Sequence, residues 1–331
     1  MKPFILGILF LGILVPDIFS AEELVIYSAR KEPLIKPLFD SYTAKTGVAI
    51  KFITDKEGPL LQRLLAEGAE TPADILMTSD AGNLWQAAQE GLFASVESAV
   101  LAKNIPAHLR DPENRWFGLS IRARTIVYHT GRVNPADLST YEDLGDLKWR
   151  GRLCLRTSKK VYNQSLVAMM IESLGKERAE AIVRAWVENL AVDVFADDTA
   201  VMEAMAAGQC DVGIVNTYYY GRLLEEKSGL ALALFWPDQN GGGVHLNISG
   251  AGIIKYSKKQ KEALSFLEWL SSEEAQGFFA NANLEYPANP QVPSHPLVAS
   301  WGAFKPSEMN LAKAGELQQE AVMLMDRAGY K

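Results

Sequence analysis

The sequence predicts an α/β protein of two lobes, each a mainly parallel sheet flanked by helices, with two long strands joining them. Three observations lead there. Strand-like and helix-like patterns alternate three times before about residue 95, as expected of parallel strands linked by crossover helices. The alternation resumes after residue 150. Two β-type runs, Phe117–His129 and Val244–Ile254, exceed the usual strand length of about 5–6 residues, which suits segments that pass from one lobe to the other.

Residues 1–21 are set apart from this fold. Met1-Lys2-Pro3, an apolar run from Phe4 to Pro16 and the small pair Ser20-Ala21 read as a signal peptide, and the run is shorter than the ~20 apolar residues of a membrane span. The mature protein is therefore expected to be exported and not membrane-spanning. A chain of 331 residues, 48% hydrophobic, is long enough for two domains with their own cores. With 33 Lys+Arg against 40 Asp+Glu, a net charge of −7 and no basic run, a nucleic-acid partner is not expected.

Leu24–Tyr27 is the first expected strand, and Pro33–Lys45 the first helix, with Leu34, Leu38, Phe39 and Tyr42 on one side and Gly47 as its stop. A strand at 48–53, a helix from Pro59, a strand at 73–77 and a helix capped by Asp80 follow. After the first long β run come a strand at 152–156, helices at about 160–174 and 176–190, a strand at 192–195, a helix at 198–207, a strand at 210–215, a helix from 217 and a strand at 230–235. Beyond the second long run, helices are expected at 258–271, 272–280 and 314–328. The lobes are thus assigned as residues 22–121 plus about 245–288, and 122–244 plus about 289–331, a hinged clamshell able to close on a ligand. The two cysteines, Cys154 and Cys210, lie in expected strands, and an oxidising compartment favours a disulfide between them.

The chemistry gathers at tyrosines. Tyr218 and Tyr219 follow an apolar strand, Val212–Val215, and Tyr162 follows another near Arg156; ligands of open α/β sheets bind outside such carboxyl ends. A phenol has a pKa of about 10, so only a strong local positive charge ionises several together, and three phenolates balance one ferric ion. Tyr220 is expected to pack or face solvent. Arg122 and Arg124, two apart in a β run, share a face and offer a fork to an anion. Arg30-Lys31-Glu32 follow the first strand at the mouth of the other lobe, with Glu32 a candidate oxygen ligand and Lys31 a candidate charge for the anion. The histidines lack zinc-like spacing, and Gly241-Gly242-Gly243 is not followed by Lys-Ser/Thr as in a phosphate loop.

Several motifs together resemble the periplasmic ferric-iron-binding proteins of ATP-driven importers, within the type II periplasmic binding-protein group. They are Ile26-Tyr27-Ser28-Ala29-Arg30, Thr71-Pro72-Ala73-Asp74-Ile75, Trp116 through Arg124, Val161-Tyr162-Asn163-Gln164-Ser165, Asn216-Thr217-Tyr218-Tyr219 and Gly250-Ala251-Gly252. The resemblance implies a periplasmic-binding-protein clamshell in which Tyr162, Tyr218 and Tyr219 bind Fe(III) as transported ligand. It also implies a synergistic anion, carbonate or similar, on Arg122, for which Arg124 is the reserve. An inner-membrane ABC permease with its ATPase is the implied partner, the receptor being a monomer without turnover of its own. Family members commonly carry a His-Tyr pair after the first strand, where this chain has Lys31 and Glu32. Three tyrosines and a bidentate anion then supply most of the shell, with Glu32 or water in the sixth position. Two other readings stay open: a binding protein for a small organic anion or polyamine, and a secreted enzyme using tyrosinate-bound iron. The enzyme needs a general acid or base beside the metal, and none adjoins the tyrosines in sequence.

Overall fold

A computed structural model describes residues 23–331; the expected signal peptide lies outside them. The first lobe is built from β1 (Glu23–Ser28), α1 (Glu32–Thr46), β2 (Ala49–Thr54), α2 (Glu57–Glu67), β3 (Ile75–Thr78), α3 (Ala81–Gln89) and α4 (Ala99–Asn104). The long strand β4 (Phe117–His129) leads to β5 (Leu153–Cys154), α5 (Val161–Leu174), α6 (Lys176–Glu188), α7 (Asp198–Ala206), β6 (Val212–Asn216), α8 (Thr217–Glu226) and β7 (Leu232–Phe235). The chain returns through β8 (Leu246–Ile253), α9 (Gln260–Leu270), α10 (Glu273–Asn283) and β9 (Tyr286–Pro287), and ends in α11 (Pro296–Ala299), α12 (Ala312–Glu316) and α13 (Gln318–Arg327).

Local signals set most of these boundaries. Gly47 ends α1 with φ 78°, and its N–H reaches the Thr43 carbonyl, a left-handed cap that glycine adopts without a Cβ clash. The Asp80 side chain accepts the Asn83 N–H at the start of α3. The expected strand at 192–195 does not form; only isolated bridges, Leu153 to Leu190 and Arg156 to Phe195, mark it.

The strands share one curled sheet in the order β2-β1-β3-β8-β4-β6-β5, with β7 and β9 also on β4. The ladders β2-β1-β3 and β5-β6 are parallel, as crossover helices demand. The long strands add antiparallel ladders: β8 against β3 and β4, and β4 against β6, β7 and β9. Along β4, Phe117–Ala123 pair with β8 and Arg124–Tyr128 with β6. The strand therefore changes pairing partner between Ala123 and Arg124. A Cβ on Gly250 of β8 would lie 2.4 Å from the Phe117 carbonyl oxygen, so the Gly-Ala-Gly motif serves close approach of β8 to the backbone at the start of β4.

Each lobe has its own apolar core. Ile26, Ile35, Phe39, Phe266 and Phe279 pack together in the first, and Leu166, Val183, Trp186 and Ile214 in the second. Ala321, Leu324 and Met325 of α13 join the second core. The short α12 touches both lobes: Gly315 abuts Trp85 of α3, and the neighbouring Gln318 donates to Gln164 of α5 at 3.0 Å. This contact forms a third connection behind the two crossing strands. Cys154 and Cys210 are joined as a disulfide. Among the described residues no helix is long and apolar enough to cross a membrane.

Candidate functional site

Two helix N-termini meet at the carboxyl ends of β5 and β6. Asn216 ends β6 and is the N-cap of α8, so Tyr218 and Tyr219 are its second and third residues; Tyr162 is the second residue of α5. Neither helix has a side-chain cap, which leaves their first N–H groups and dipoles to favour negative charge nearby. The Tyr218 hydroxyl donates to that of Tyr162 at 3.4 Å, and the Tyr218 and Tyr219 rings lie 4.3 Å apart. The three predicted tyrosines thus come together. Tyr220 turns away, donating to the Leu232 carbonyl at 3.0 Å and packing on Trp301.

Guanidinium groups surround the phenols. Arg122 and Arg156 lie 5.4 and 5.2 Å from the Tyr162 ring centre, Arg156 lies 5.7 Å from that of Tyr219, and Arg222 lies 5.2 Å from that of Tyr218. Burial pushes the Tyr162 and Tyr218 hydroxyls above the usual phenol range, while Arg122 pulls both downward. Without a metal these two phenols are neutral at pH 7. A bound trivalent cation would displace their protons by the logic that ionises metal-bound thiols.

A buried polar network holds this wall in place. The Asp198 side chain, fully buried, accepts from Arg124 at 3.1 Å and from the Asn216 N–H at 2.8 Å, and stands 3.5 Å from Arg156. Asn163, next to Tyr162, accepts from Arg124 Nε and Nη2 and donates to the Arg156 carbonyl. Asn216, Asp198 and Asn163 therefore link both tyrosine-bearing helix starts to one arginine. Arg124, the reserve candidate for the anion, is fully engaged within this network. Its five N–H groups all have acceptors, on Asn163, Asp198, Asn216 and the Ile214 carbonyl, so none is left for a ligand.

The opposite wall is different in kind. Arg122 Nη2 donates to the Ser79 carbonyl and, at 2.5 Å, to that of Ile248, while Nη1 lies 3.7 Å from Glu285. Arg30 donates to Ser120, Ser249 and Glu285 at 3.1, 2.5 and 3.1 Å. Burial works against the Glu285 charge, but Arg30 and Arg122 outweigh it and hold the carboxyl below its usual range. Lys31 and Glu32 stand exposed at the start of α1. Among the described residues, no hydrogen bond or ion pair joins either side chain to the tyrosines.

Sequence reasoning missed Arg156, Arg222, Arg30 as a buried group, and Glu285. Arg222 is four residues beyond Tyr218 on the same helix, a spacing that faces the two together, so that signal was available. Glu285 carried none, because it reaches Arg30 across 255 residues of chain. Two recesses of about 470 and 760 Å³ lie elsewhere, one lined by Leu166, Met169 and His245 and the other by Trp236 and Trp301. The tyrosines line neither, their rings being packed against one another and the arginines. Among the described residues no group of three His, Cys, Asp or Glu is arranged to hold a metal.

Known proteins carry the same architecture. The chain is 42% identical to Iron uptake protein A1 of Synechocystis sp., over 94% of this chain and 88% of that protein. It is 29% identical to the Fe(3+)-binding periplasmic protein of Serratia marcescens over 92% of each. A solved structure of Trichodesmium IdiA (FutA), described as in complex with iron and citrate ligands, superposes with a TM-score of 0.90 at 42% identity, covering 93% of this chain and 100% of that one. Residues 37–306 match the bacterial extracellular solute-binding proteins, and the chain belongs to that family.

Proposed function

We propose that the protein captures Fe(III) through the phenolate oxygens of Tyr162, Tyr218 and Tyr219, together with a synergistic anion, and delivers it to an inner-membrane permease driven by its ATPase. The observation that carries this reading is the convergence of three tyrosines on two uncapped helix N-termini among arginines. Phenolates are hard anionic donors, and three of them neutralise a trivalent ion. The relatives' names speak of iron uptake and Fe(3+) binding, and the Trichodesmium structure holds iron and citrate.

In this reading the protein is an exported receptor that performs no turnover. The lobes, residues 22–121 with 245–288 and 122–244 with 289–331, close about β4 and β8. The anion is carbonate or a carboxylate. Glu32 and Lys31 are at most late contributors on closure, since α1 presents both to solvent.

Adding ferric citrate to the metal-stripped mature protein should produce a tyrosinate-to-iron charge-transfer colour. Tyr218→Phe and Tyr162→Phe should each weaken iron binding by about a hundredfold, roughly 3 kcal/mol, and diminish the colour. A colourless protein stabilised by organic anions but not by iron would replace this reading with organic-anion capture. Turnover of a substrate by the iron-loaded form would replace it with an enzyme.

A further inference from the structure

We propose that Arg156 grips the oxyanion that accompanies the iron, using the Nε and Nη2 edge of its guanidinium. This rests on the ferric reading above and names a residue that reading does not require. The three arginines along the cleft differ in what remains free. Arg124 has acceptors for all five N–H groups. Arg122 likewise has a buried Nε without a partner, but its Nη2 is engaged by the Ser79 and Ile248 carbonyls and its Nη1 faces Glu285, so that edge is not free for a fork. Arg156 has Nη1 3.5 Å from Asp198 and a side-chain contact with the Tyr219 phenol, while its Nε is buried without a partner.

A buried N–H without an acceptor costs free energy until something supplies one. At Arg156 the unpartnered atom belongs to the edge that guanidinium uses for two parallel bonds to a planar oxyanion. Asp198 fixes the orientation of that edge, being wholly buried and bonded in turn to Arg124 and the Asn216 N–H. The group lies 5.2 and 5.7 Å from the ring centres of Tyr162 and Tyr219. An oxyanion seated there would lie beside a metal held by those two phenolates. Charge favours it as well: three phenolates already balance Fe(III), so a further anion needs a cation at hand. The ligand class is a carbonate or a carboxylate with two oxygens for the fork, in preference to a monatomic anion such as chloride.

The test uses the full mature protein and two variants, Arg156→Lys, which keeps the charge and loses the fork, and Arg156→Gln, which loses both. Each is loaded with iron across a bicarbonate series and a citrate series. Two quantities are read: the position of the charge-transfer band and the rate of iron loss to a competing chelator. In the wild type, iron retention should rise with oxyanion concentration, chloride should not substitute, and the band should shift when bicarbonate is exchanged for citrate. Arg156→Lys should reduce the anion response about tenfold and abolish the band shift; Arg156→Gln should leave iron loss independent of either anion. If both variants keep the wild-type anion response and band shift, the proposal is overturned. Should Arg156→Gln fail to fold, by its thermal transition, the lysine variant decides alone. A wild type that never colours with iron overturns the ferric reading itself, a distinct outcome from a coloured wild type and variants alike in their anion response.

Discussion

The two walls of the cleft are built from the same residue types to different ends. On the second lobe, Arg124 and Asp198 form a closed, buried network whose members adjoin Tyr162 and lie two residues before Tyr218. On the opposite wall, Arg30 and Glu285 form an equally buried cluster with Arg122 of the crossing strand, but the chain at its mouth presents Lys31 and Glu32 to solvent. One wall fixes oxygen donors before any ligand arrives. The other contributes charge and anchorage at the crossing strands. Under the proposed function, a ligand would bind first on the prepared wall and gain the rest by closure.

The largest loss is expected at Asp198. Asp198→Ala leaves Arg124 and Arg156 buried without their carboxylate, and removing one partner of such a pair costs about 3–5 kcal/mol. Chemical denaturation should register that loss, and iron binding should fall with it. A smaller loss is expected from Cys154→Ala with Cys210→Ala, since the bridge closes a loop with a separation of 56 residues, worth about 2–4 kcal/mol. Denaturant midpoints of the oxidised protein and the double variant measure it.

The prepared wall should also reveal itself through protons. Burial raises Tyr162 and Tyr218, so iron binding at neutral pH must release the protons these phenols still hold. Apparent affinity therefore rises with pH, by about tenfold per pH unit for each proton released. A titration at constant free anion and chelator-buffered iron gives the slope; a flat profile would contradict phenolate ligation. The smallest effect belongs to the other wall. Glu32→Ala should change iron affinity by less than about threefold, roughly 0.6 kcal/mol, and a loss approaching that of Tyr218→Phe would show Glu32 to be a ligand in the closed form.

Much of the site was legible because it is local. Tyrosines two and three residues into a helix that follows a strand are visible in a run such as Val212–Tyr219, and the change of side-chain period after each strand gave α5 and α8 nearly to the residue. What was not legible depended on distant partners. Nothing in the β run distinguishes Arg122 from Arg124: both point to one face, yet one meets the carbonyls of the first lobe and the other the amides of the second. The expected strand at 192–195 failed for a similar reason, because pairing there is limited to single bridges beside β5. The strap made by α12 has no signal beyond Gly315, which only the proximity of Trp85 explains.

The sequence by itself determined the alternation of strands and helices, the two long crossing strands and the positions of the three phenols, since each follows from side-chain periodicity and turn chemistry within a few residues. Only the tertiary structure decided which arginines remain free to meet a ligand. That depends on whether each guanidinium finds its acceptors, and the acceptors of Arg122, Arg124 and Arg156 are brought from as far as 163 positions along the chain by the packing of the two lobes.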